Sequence, residues 1–261
     1  MRKTFLFLAL LNTIIMFSQL KGIANYGYIE ALDIGYAKGL DSNAYIIFNR
    51  EQSYYVTAKD SLEKPEKINE KRTFQSEDGG QTSSYNGMKV SPLGDQVVYH
   101  IQKNTMWSNF LYRKQIYIKE IAPKINWTIE KETKKIGNFT CKRATAIFRG
   151  RNYTAWYSPE IAVPFGPWKL NGLPGLILEA YDVNKFVYWY FKNIEYPTKN
   201  KESVKYISIP KGITFKSNEE FKIFQKEQIN IIKDKQKLAK KIYPDVQFGA
   251  PQLSNMFVEF E

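Results

Sequence analysis

CKRATAIFRG (141–150) and NYTAWYS (152–158), followed by LILEAYDV (176–183) and FVYWYFKNIEY (186–196), decide the fold. Each run alternates apolar and polar residues or is continuously apolar, and each is rich in aromatic and β-branched side chains. That pattern suits a pleated, half-covered surface rather than a helix. Gly150-Arg151 predicts a tight turn between the first two runs, and Asn184-Lys185 a hairpin turn between the last two. Consecutive short strands joined by tight turns argue for an antiparallel sheet.

The same reading extends in both directions. ANYGYIEALDIG (24–35) is strand-like, and AYIIFN (44–49) and SYYVTA (53–58) flank Arg50-Glu51-Gln52 as a hairpin. DQVVYHIQKN (95–104) and NFLYRKQIYIKEI (109–121) follow as strand or hairpin segments. INWTIEKETKKIG (125–137) places Ile125, Trp127 and Ile129 on one face of a half-buried strand, and VKYISIP (204–210) reads as the last strand. Between them, residues 59–86 are polar and read as a long surface loop or insertion. Ser217-Asn218-Glu219-Glu220 is a capping box, and Phe221, Phe224, Gln228, Ile231 or Ile232, and Leu238 fall near helical spacing behind it. The resulting amphipathic helix ends near Ile242, ahead of Pro244. The tail PQLSNMFVEFE (251–261) is a candidate edge strand. Many short strands and then one long helix predict a mainly β (α+β) fold: a curved antiparallel sheet or partly open β-barrel with the helix packed on it.

MRKTFLFLALLNTIIMFS (1–18) has the basic start, short apolar run and small final residue of a secretory signal. Its apolar run is too short to span a bilayer, and no later stretch is apolar for long enough. Residues 19–261 are therefore expected as one exported β-rich domain, periplasmic or cell-surface associated, with no Cys near the cut to carry a lipid. Without Arg2 and Lys3 the net charge of +12 falls to +10. Such a charge biases the chain toward anionic partners, but export removes it from nucleic acid.

Catalytic signatures are sparse. Cys141 is a lone cysteine, which in an oxidising compartment cannot form an internal disulfide and reads as a packed apolar side chain. His100 is a lone histidine alternating with Val98 and Gln102 in a strand, so no His-rich metal site or serine triad is formed around several histidines. Glu179 with Asp182, and Glu77 with Asp78, are acidic pairs of the kind that also decorate solvated strand ends. Asn126-Trp127-Thr128, Asn138-Phe139-Thr140 and Asn152-Tyr153-Thr154 match the glycosylation triplet. No cofactor is expected, and enzymatic activity is left open.

The stretch 136–182 also resembles the signature of the GLPGLI (Porph_ging-type) family of exported Bacteroidetes envelope proteins. The resemblance is carried by Cys141-Lys142-x-Ala144, Gly150-Arg151, Ala155-Trp156-Tyr157, Gly166-Pro167-x-Lys169 and Gly172-Leu173-Pro174-Gly175-Leu176-Ile177. It implies location and fold; the family has no established activity. Read physically, Gly and Pro give the 166–175 loop special backbone angles, while Leu173 and Leu176 are apolar in a place that is usually wet. Two readings stay open. Either the loop folds inward and plugs the sheet, with Lys169 and Arg151 donating to its carbonyls, or it is an exposed lip. In the second reading Arg151, Trp156, Trp168, Lys169, Leu173 and Leu176 contact a ligand or partner. The functional expectations are a binding or carrier module for an apolar or amphipathic ligand, an interaction subunit contacting an envelope protein through the GLPGLI loop, or a hydrolase using Cys141 or a carboxylate.

Overall fold

The structure, a computed structural model, describes residues 21–30, 40–57, 94–112, 114–199 and 212–260. The leader, the polar loop at 59–86 and the strand expected at 204–210 lie outside the described residues. The strands are β1 (Gly22–Glu30), β2 (Leu40–Phe48), β3 (Gln52–Thr57), β4 (Gln96–His100), β5 (Thr105–Tyr112) and β6 (Lys114–Ile121). They continue as β7 (Thr128–Ile136), β8 (Phe139–Phe148), β9 (Arg151–Ser158), β10 (Leu176–Asp182) and β11 (Val187–Glu195), and helix α1 (Asn218–Ile242) follows.

All eleven strands form one antiparallel sheet in the order β6-β5-β4-β3-β2-β1-β11-β10-β9-β8-β7. The chain winds outward by neighbouring strands to the β6 edge, jumps to the far β7 edge, and winds back until β11 meets β1. That jump forces curvature. Laid flat, ten strand spacings would put the edges about 48 Å apart. The link 122–127 can span only about 25 Å between Ile121 and Thr128. The sheet must therefore curl, yet β6 and β7 do not pair, and it stays open.

The curl makes a concave face on which distant strands meet. Trp189 of β11 donates its indole N–H to the Tyr55 hydroxyl of β3 at 2.8 Å, across β1 and β2. Tyr26 of β1 donates its hydroxyl to the Ile177 carbonyl of β10 at 2.7 Å. Ala24, Ile46, Phe48, Val97, Met106, Cys141, Ala144, Tyr153 and Ala155 complete this core with the β9–β10 connection. On the opposite face Ile23, Tyr45, Ile47, Tyr54, Val56 and Val98 cluster with Trp107.

Several expectations shift in detail. The β8–β9 turn is Arg149-Gly150 rather than Gly150-Arg151: Phe148 pairs with Arg151, and both turn residues have positive φ (49° and 80°). That is the backbone of a two-residue hairpin loop matching strand twist. β7 begins at Thr128, after Ile125 and Trp127, and Ile129 is exposed. Alternation marks which face a residue points to; it cannot say that an edge strand's face will be covered. The capping box forms as read, with Glu220 N–H donating to Ser217 Oγ and Ser217 N–H to the Glu220 carboxylate. The helix rests on β6 through its first three turns only, burying Phe221, Gln225 and Gln228 and leaving Leu238 exposed. The tail is not a strand; it makes a 3-10 turn at Leu253–Asn255 and then runs inward.

Candidate functional site

The β9–β10 connection, residues 159–175, folds into the concave face. Phe165, Leu170 and Leu173 are each 1 % exposed, and Leu176 at the start of β10 is 0 % exposed. Phe165 packs edge-on to Tyr99 of β4 at 5.7 Å, and Trp168 stacks on Trp189 at 6.0 Å. A buried loop must pair its own backbone, and this one does. Gly172 N–H donates to the Pro164 carbonyl, Leu176 N–H to Ile161, Ile177 N–H to Phe165, and the Trp127 indole to Asn171. Two glycines are required for different reasons. Gly172 has φ +91° with open space around it, whereas a Cβ on Gly175 would lie 2.2 Å from the Ser158 carbonyl oxygen. The GLPGLI loop is thus a plug, and Leu173 and Leu176 face inward.

Arg151 and Lys169 do not serve the loop's carbonyls. They belong to a buried charge cluster with Arg149, Glu120, Asp182 and Glu259. Lys169 Nζ lies 3.0 Å from a Glu120 oxygen and 2.6 and 2.9 Å from the two Glu259 oxygens. Arg149 donates to Glu120, and its Nε lies 3.7 Å from Glu259. Arg151 pairs with Asp182 at 3.0 Å, and Asp182 accepts the Val187 N–H with its other oxygen. Three cations face three carboxylates, so the cluster is neutral as a whole, which a buried set of charges requires. Topologically it joins β6 (Glu120) to the β8–β9 turn, the plug, β10 and the C-terminal tail. It therefore ties the β6 edge to the far half of the sheet, where no backbone ladder does.

The C-terminal segment is the other tie. Arg151 donates Nε to the Val258 carbonyl at 2.8 Å and Nη2 to the carbonyls of Ser254 and Phe257 at 2.6 and 2.9 Å. Gln225 of α1 donates to the Glu259 carbonyl, and Phe260 N–H to the Arg149 carbonyl. Phe257 is buried with Ile116, Ile118 and Phe221. None of these long-range partners has a local sequence signature. The visible hint was a pair of basic residues inside otherwise apolar runs.

The remaining candidates are also placed. Trp156 is buried on β9 with Lys134 4.4 Å above its ring, and Trp168 is half-buried with φ +55°. Cys141 is buried, and burial first of all pushes its thiol up to about 12, despite Lys134 nearby; it is held as a protonated thiol rather than a nucleophile. His100 ends β4, where burial and then Lys103 lower its pKa. Glu179 is tied to Lys134 at 2.8 Å and Asp182 to Arg151, so the two carboxylates serve separate cations. Among the described residues no group of three or more His, Cys, Asp or Glu is placed to hold a metal, and no helix is long and apolar enough to cross a membrane.

Residues 149–179 match the model of a family described as "Protein of unknown function (Porph_ging)", as the sequence resemblance implied. The matched span contains Arg149, Arg151 and Lys169 and the whole plug. No curated protein matches the chain. Two crystal forms of a protein named PNGF-II resemble it in structure. The P21 form gives a TM-score of 0.50 at 14 % identity over 77 % of this chain, and the C2 form 0.51 at 15 % over 78 %. At that identity the likeness is one of fold. The chain spans 32 % of the length of either PNGF-II chain.

Proposed function

We propose that the protein is an exported interaction module that binds another envelope protein through the outer half of α1, and not a carrier with a ligand inside the sheet. One observation carries this reading. From Ile229 onward no residue of α1 is buried, and Ile231, Leu238 (61 % exposed) and Ile242 line one stripe of it. Spacings of seven and four put them on one helical face. Tyr243, Val246 and Phe248 extend the exposed apolar surface past the helix end. The same half carries Lys233, Lys235, Lys237, Lys240 and Lys241 against Asp234 alone. An apolar stripe beside lysines fits an apolar groove bordered by acidic groups, the helix-in-groove mode of recognition.

The plug supports this choice over a carrier. The concave face, where an apolar ligand would sit, is filled by Phe165, Trp168, Leu170 and Leu173 of the chain itself. The contact is thereby moved from the GLPGLI loop to the helix. The test is a photo-crosslinking residue in place of Leu238, in the producing cell. A discrete protein adduct that disappears with Ile242→Asp is the expected result. Adducts only to lipid, or none from a folded protein, overturn the reading.

A further inference from the structure

Residues 254–260 are held in the way a ligand is held. Residues 241–250 are exposed throughout, so the tail reaches its seat through a segment with no buried residue. It then makes three kinds of contact. An aromatic anchor, Phe257, enters a pocket whose walls include Phe110 and Phe221, at ring distances of 5.7 and 6.2 Å. Two residues later the Glu259 carboxylate sits on Lys169 and beside Arg149. Between and around these anchors the peptide backbone is read by side chains: Arg151 takes three carbonyls and Gln225 a fourth.

Side-chain anchors for specificity and donors aimed at main-chain carbonyls for affinity are how folded proteins recognise peptides. An open cleft of about 450 Å³ lies beside this seat, between Gln252, Ser254 and Phe260 of the tail and Gly150, Asn152 and Asn184. Gly150 is required for the approach, since a Cβ there would lie 2.2 Å from the Phe260 carbonyl oxygen.

We propose that Arg149, Arg151, Lys169, Gln225 and the Phe110–Phe221 pocket form a binding site for a peptide of a partner protein, with an aromatic residue followed two positions later by an acid. The chain's own tail occupies that site in cis and is displaced by the partner. Tethering gives the tail a high effective concentration, so a free peptide competes poorly until the tether is cut.

The test uses the full chain with a protease site inserted within residues 244–249, before and after cleavage, and a fluorescent peptide of residues 251–261. After cleavage the protein keeps its cooperative melt and binds the labelled peptide saturably, at least tenfold more tightly than the uncut chain. Peptides with F257A or E259Q bind about tenfold or more weakly, and Lys169→Met in the protein abolishes the preference for Glu over Gln. Loss of the melt on cleavage, a cut tail that never exchanges, or equal binding of a scrambled peptide each overturns the proposal. Ile242→Asp on the α1 stripe leaves peptide binding unchanged, so this proposal and the interaction reading of the helix fail separately.

Discussion

Lys169 is the residue on which most of the charge arrangement turns. It is 1 % exposed and holds two carboxylates from opposite parts of the chain, Glu120 and Glu259. Removing one member of a buried ionic set leaves the others uncompensated. Lys169→Met is therefore expected to lower unfolding free energy by roughly 3–5 kcal/mol, measured by denaturant titration. Gly172 and Gly175 give a finer contrast. Gly172→Ala meets only backbone strain, about 1 kcal/mol or somewhat more. Gly175→Ala meets no such backbone strain but drives a methyl into the Ser158 carbonyl, 2.2 Å from its oxygen, and must cost more in the same titration. Cys141 supplies a pH dependence. Its thiol rises from an ordinary value of 9.0 to about 12 because burial disfavours the thiolate. The folded state thus keeps a proton that the unfolded chain gives up above pH ~9. That stability is complete below about pH 9 and is lost as pH rises toward 12; alkylation at pH 8 should be slow until denaturant is added. At this scale the special backbone of the GLPGLI loop and the packed Cys141 were legible, because Gly, Pro and Cys each have a narrow set of uses. That Arg151 would bind carbonyls more than a hundred residues away was not legible, because such pairings leave no local trace.

Among the elements, the strands and α1 were readable and their surroundings were not. Periodicity places β8, β9, β10 and β11 within a residue or two, and the capping box places the start of α1. The alternation in 125–137 marked a strand face, but β7 ends up at the sheet edge with Ile129 exposed. Likewise the apolar spacing of α1 suggested a helix lying on the sheet along its length, whereas only Phe221, Gln225 and Gln228 are buried. An amphipathic pattern says that a face wants a partner, not where the partner comes from. The capping box has its own test. The Ser217 backbone N–H, and then its hydroxyl, holds the Glu220 carboxyl below its ordinary value. Its contribution is therefore present above the ordinary carboxylate range and lost as pH falls through the depressed value. Amide protection at Glu220 and Phe221, taken relative to the intrinsic exchange rate at each pH, should fall on acidification, and Ser217→Ala should lower it already at neutral pH.

For the whole molecule, an antiparallel order of strands was foreseen, but not how an eleven-strand sheet would end. The same run of hairpins closes into a barrel or stays open, and the difference lies in side chains that fill the space. Here the short 122–127 link forces the curl, the plug fills the concave face, and the charge cluster with the tail spans the gap that β6 and β7 leave. The proposed division of labour sets an interior GLPGLI loop against a contact surface on the outer half of α1. Thermal melting and partner crosslinking of Leu176→Asp and Ile242→Asp, compared side by side, test it most directly. A charge at buried Leu176 should abolish the cooperative melt, while Ile242→Asp should melt like the native protein and lose the adduct formed from position 238. A folded Leu176→Asp protein that loses the adduct, beside an Ile242→Asp protein that keeps it, would contradict the account.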